Sequence, residues 1–84
     1  MRHTMIPITS AEMLGKVLRK YRNEQDLTQS EVGKKFNLPQ KTISSIESGL
    51  PGVRLATLFK VMSALGLEMH LEPRAKSNQD EALW

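Results

Sequence analysis

Between residues 28 and 46 the chain sets several local demands in a row, and together they admit one kind of local structure. Thr28 stands three residues before Glu31, the pattern in which a hydroxyl and a carboxyl cap a helix start reciprocally. Val32 and Phe36 follow one turn apart and give a short helix its inner face. Gly33 lies between them, although glycine costs a helix interior up to about 1 kcal/mol relative to alanine. Close packing against a second helix is the reason to keep it. Asn37 tolerates the left-handed conformation that ends a helix, and Pro39 suits the entry to the next one. Ile43 and Ile46 supply that second helix with an apolar side, while Gln40, Lys41, Ser44 and Ser45 supply a polar one. Val32, Phe36, Leu38, Ile43 and Ile46 are the expected buried set. Two short helices should therefore cross closely at a tight corner.

The flanking segments read as follows. Pro7 argues against helix in an N-terminal arm. Thr9 precedes Glu12 as a further capping box. Leu14, Val17, Leu18 and Tyr21 then share one helical face, predicting a helix over residues 10–24. Lys16, Arg19, Lys20 and Arg22 occupy its other faces. Gly49, Pro51 and Gly52 break the chain. A last helix is expected over residues 55–65, with Leu55, Leu58, Phe59, Met62 and Leu65 as a wide apolar stripe and Gly66 as its end. Leu67, Met69 and Leu71 alternate with Glu68, His70 and Glu72, the period of a half-buried strand. A lone strand has no sheet, so it is expected to pair with the same strand of a second copy. From Pro73 the composition turns polar and reads as a flexible tail, which closes on Ala82, Leu83 and Trp84. The expected organisation is an arm at 1–8, one domain at 9–72 and a tail at 73–84.

Composition narrows the functional classes. A chain of 84 residues holds one small core, and such domains often gain stability by dimerising. There are no cysteines, so disulfides and thiolate metal sites are excluded and a reducing, cytoplasmic setting is expected. No apolar run is long enough for a membrane span. His3 and His70 have no ligand spacing, Ser44 and Ser45 have no histidine base nearby, and no glycine-rich loop cradles a phosphate. Neither an enzyme nor a cofactor or metal site is expected. A net charge of +3 suits a polyanionic partner.

Leu27-Thr28-Gln29-Ser30-Glu31-Val32-Gly33 and Thr42-Ile43-Ser44-Ser45-Ile46-Glu47-Ser48-Gly49 together resemble the Cro/C1-type (XRE) helix-turn-helix domain, over residues 13–65. The resemblance implies an all-α bundle of four to five helices, to which the C-terminal strand expected to pair across a homodimer is added. It also implies that the helix after the corner lies in the DNA major groove, with Gln40, Lys41 and Ser44 reading bases. Their chemistry agrees, because glutamine pairs bidentately with adenine and lysine reaches guanine O6 and N7. Thr28, Gln29 and Ser45 carry groups suited to phosphates, and Lys34, Lys35 and Arg54 are further phosphate candidates. Glu47 reads as structural or solvated, since a carboxylate is unfavourable beside phosphates.

The whole layout is similar to a narrower family, the HipB-type antitoxins, on Ser30-Glu31-Val32-Gly33-Lys34-Lys35, Lys41-Thr42-Ile43-Ser44 and Leu58-Phe59-Lys60-Val61-Met62. That resemblance implies a dimer on palindromic operator DNA that represses its own operon. It also implies a tail, with Leu83 and Trp84, that contacts a HipA-type serine/threonine kinase toxin. Independently of it, the sequence offers an aromatic of a type enriched among interface anchors. The alternatives are a free-standing XRE-type regulator of phage or restriction-control kind, and a protein-binding module without DNA binding. The polar, basic head of the helix after the corner argues against the last.

Overall fold

Among the described residues four helices follow one another: α1 at Ala11–Glu24, α2 at Gln29–Lys34, α3 at Gln40–Glu47 and α4 at Leu55–Ala64. The structure, a computed structural model, describes residues 5–74. His3, Leu83 and Trp84 lie outside the described residues. Helix α2 starts with the expected reciprocal cap, Thr28 accepting from the Glu31 N–H while the Glu31 carboxylate accepts from the Thr28 N–H. At α1 the cap is Ser10 and not Thr9. The helix begins at Ala11, so the Met13 N–H is the free donor, and the Ser10 hydroxyl oxygen accepts it at 3.0 Å.

All four helices end the same way. Asp26, Asn37, Gly49 and Gly66 each take a positive φ, between 56° and 74°. The residue after each returns its N–H to a carbonyl five positions back: Leu27 to Arg22, Leu38 to Gly33, Leu50 to Ser45 and Leu67 to Met62. This satisfies carbonyls that a helix end leaves open. In each case the returning residue is leucine, and Leu27, Leu38 and Leu67 then pack against the core. The expected role of Asn37 is met, with φ 56°. Asp26 plays the same part unforeseen, aspartate being the other residue type that tolerates this conformation.

The core is Leu18, Val32, Ile43, Ile46, Val61, Met62, Ala64 and Leu65. Phe36 is not in it and stands 39% exposed. Helix α2 stops at Lys34, so Phe36 falls in the turn and off the helical face that the i, i+4 spacing assumed. On α4 the buried face is Val61, Met62 and Ala64 with Leu65 beyond, while Leu55 and Phe59 remain exposed along the outer edge of the stripe. Two side chains tie the end of α4 to the rest. Gln25 donates to the Leu65 carbonyl at 2.8 Å and Lys35 donates to the Ala64 carbonyl at 3.0 Å, which suits a cation at the negative end of a helix.

Glycine allows two close backbone contacts. A Cβ on Gly33 would collide with the Leu38 carbonyl oxygen, with Ile43 Cγ1 at 3.7 Å behind it. The tight contact of Gly33 is thus with the turn first and with α3 second. Gly15, which the helical periodicity did not single out, brings α1 onto the end of α3, where a Cβ would stand 2.5 Å from the Ile46 oxygen. Residues 67–71 form no strand within the chain, and Met69 and Leu71 are exposed. Among the described residues there is no strand for that segment to pair with.

Candidate nucleic-acid interface

Helices α2 and α3 meet at their N-terminal ends through their first residues. Gln40, at the head of α3, donates from Nε2 to the Gln29 side-chain oxygen at the head of α2. Gln29 in turn donates from its own Nε2 to Glu47 Oε1 at 3.0 Å. Glu47 is held from the other side by Arg22 of α1, Nε to Oε2 at 2.6 Å and Nη2 to Oε1 at 2.9 Å, while Arg22 Nη1 donates to the Leu27 carbonyl at 2.8 Å. Four side chains from three helices therefore form one continuous hydrogen-bonded line. It runs from a part-buried ion pair to an exposed glutamine.

The two ends of the line differ sharply in environment. The side chains of Arg22 and Glu47 are 11% and 5% exposed, Gln29 is half-buried and Gln40 is exposed. Burial alone would raise the Glu47 carboxyl, but the hydrogen bonds from Arg22 and Gln29 and the charges of Arg22 and Arg19 outweigh it and hold it below the ordinary glutamate value. The bond to Glu47 raises the Arg22 guanidinium. The carboxylate is thus ionised and already neutralised, so it presents no bare negative charge to a polyanion. Glu31, whose carboxyl is lowered by its bond to the Thr28 backbone, is likewise committed to a cap.

Each residue singled out from the sequence has a definite place. Gln40 and Lys41 are exposed and Ser44 is half-buried along the head of α3. Thr28 and Gln29 start α2, where free N–H groups and the positive end of the helix dipole favour anions. Arg22, Asn23, Thr28, Gln29, Ser30 and Gln40 border one shallow hollow between the helix starts. Lys34 is exposed, Ser45 half-buried, and Arg54 exposed at the start of α4. Lys35 is engaged with the end of α4. Among the described residues no group of three His, Cys, Asp or Glu side chains gathers to hold a metal. No described helix is long and apolar enough to cross a membrane.

The Arg22–Glu47 pair was missed as a unit from the sequence, which placed Arg22 only among the cations on the non-apolar faces of α1. A signal was present. Glu47 is the last residue of α3, where the helix dipole opposes a negative charge, so a carboxylate there calls for a cation beside it.

Comparison with known proteins gives a consistent picture. A helix-turn-helix family model matches residues 18–71. Antitoxin HipB of Escherichia coli O6:H1 strain CFT073 is 34% identical over 79 residues, covering 87% of this chain and 84% of that protein. A solved structure described as a HipB-O4 20mer complex superposes with a TM-score of 0.80 at 32% identity, over 84% of this chain and 100% of that one. One described as a HipA-HipB-O2-O3 complex matches with the same TM-score, identity and coverage.

Proposed function

The chain belongs to the helix-turn-helix family and within it to the HipB-type antitoxins, and from that premise we propose a homodimeric repressor of its own operon that also restrains a kinase. It is a DNA-binding antitoxin of a HipA-type toxin. Its work is binding and not catalysis, in the cytoplasm, and the DNA partner is a palindromic operator. Residues 9–72 form the DNA-binding and dimerising domain, and residues 73–84 reach the toxin.

The observation that carries the DNA reading is the Gln29–Gln40 bond. It joins the heads of two helices, so that phosphate-seeking groups on α2 and base-seeking groups on α3 share one outer surface. Gln40, Lys41 and Ser44 read base edges. Thr28, Gln29, Ser45, Lys34 and Arg54 contact phosphates. Lys35 can join them only by leaving the Ala64 carbonyl. The dimer forms through Leu67, Met69 and Leu71 pairing with the same segment of a second copy, which would also cover exposed apolar side chains.

Leu83 and Trp84 anchor the HipA-type serine/threonine kinase. Copurification tests this reading directly. The full chain should retain a HipA-type kinase from native extract, and a chain lacking Leu83 and Trp84 should lose it while still binding DNA. Equal retention by both chains removes the tail from the account.

A further inference from the structure

We propose that Glu47, acting through Gln29, fixes which way round the Gln40 amide faces the DNA, making a half-buried acid a positioning residue for base specificity. The inference rests on the reading of Gln40 as a base reader. An ionised carboxylate can only accept hydrogen bonds. Arg22 occupies it with Nε and Nη2, and the remaining capacity on Oε1 is filled by Gln29. Gln29 must therefore turn its NH2 group, never its oxygen, toward Glu47. Its oxygen then faces Gln40, and an oxygen accepts only from a donor, so the Gln40 NH2 group must point at Gln29.

One N–H of Gln40 is spent in this way. Its oxygen and its other N–H remain for the groove, in one order and not the reverse. An acceptor and a donor side by side match the N6 amino group and N7 of adenine. Each link follows from the chemistry of the one before it, and the line starts at a charge that cannot flip. Without that charge a glutamine amide can turn over at little cost, because its two ends have nearly the same shape.

The test compares base preference and not affinity alone. Sites are first selected from a random-sequence duplex pool with the full chain. Gln40→Ala then identifies the base pair at which preference collapses. At that pair the discrimination ratio between the preferred and the swapped base is measured for Glu47→Gln, which lets the line reverse, and for Gln29→Met. Gln29→Met removes the link but leaves the Arg22–Glu47 pair to keep the fold. Circular dichroism melts establish that each variant is folded.

The expected result is that both variants lower the ratio at that one pair by about fivefold or more. Preferences elsewhere in the site should be unchanged, and any loss on random DNA uniform. Wild-type discrimination in folded Gln29→Met overturns the relay. A drop spread evenly over every base pair also overturns it, because a merely structural role produces that pattern. Gln40→Ala that leaves every preference intact overturns the base-reader reading, and the relay with it.

Discussion

The Cβ that Gly15 lacks would stand 2.5 Å from the carbonyl oxygen of Ile46, so α1 and the end of α3 touch backbone to backbone. In an isolated helix, alanine in place of glycine gains about 1 kcal/mol. Here the added methyl meets the Ile46 and Glu47 carbonyls, which are fixed backbone, and overpacking of that kind costs about 1–3 kcal/mol. The net effect of Gly15→Ala is expected to be destabilising, with a lower urea midpoint. It also displaces Glu47 from Arg22. A midpoint that rises would show that the helices separate freely at this point.

The Arg22–Glu47 pair predicts an acid dependence of stability. The folded-state Glu47 carboxyl lies below the ordinary value of 4.5, so its contribution is complete well above that pH and is lost as the pH falls from there through the lower folded value. Wild type should lose stability over that window by more than Glu47→Gln does, as read by urea unfolding at a series of pH values. Removing one partner of a part-buried pair leaves the other short of hydrogen bonds, so Glu47→Ala should be destabilised at neutral pH by about 1–3 kcal/mol. The double change Arg22→Met with Glu47→Met should recover most of that loss, since no charge is left without its partner.

Much of this was legible in the sequence, and what was not has physical causes. Thr28, Glu31, Asn37, Pro39 and Gly66 act through their own backbone and near neighbours, so their roles follow from local chemistry. Phe36 was misplaced because periodicity tells which residues share a face but not where the neighbouring helix stops covering it. The line from Arg22 to Gln40 joins residues 25, 18 and 11 positions apart. Only the packing of three helices creates it. Gln40 and Lys41 at the head of α3 are exposed as expected, Ser44 is half-buried, and the inner support of this surface was not seen.

Two neighbouring lysines should behave differently. Lys35 donates to the Ala64 carbonyl, so Lys35→Ala should lower stability by about 0.3–1 kcal/mol. Lys34 is exposed and pairs with no such carbonyl in the structure. Lys34→Ala should leave the urea midpoint unchanged, weaken binding to all DNA alike, and reduce the slope of log affinity against log salt by about 1. Equal effects of the two changes on both measurements would contradict this division.

Dimerisation through residues 67–71 makes a further prediction. Proline has no N–H to give a ladder, so Met69→Pro should be largely monomeric at micromolar concentration by sedimentation equilibrium, with its helical signal retained. A Met69→Pro chain that remains dimeric would place the interface elsewhere, with the exposed Leu55 and Phe59 face of α4 next to be tested.

The central claim is that the head of α3 carries sequence information and does not merely attract phosphate. The direct measurement is the ratio of affinities for a selected site and for random duplex at fixed salt, in wild type, Gln40→Ala and Lys41→Ala. Each substitution should lower that ratio by about fivefold or more, losing more on the site than on random DNA. Losses of the same size on both duplexes would contradict it.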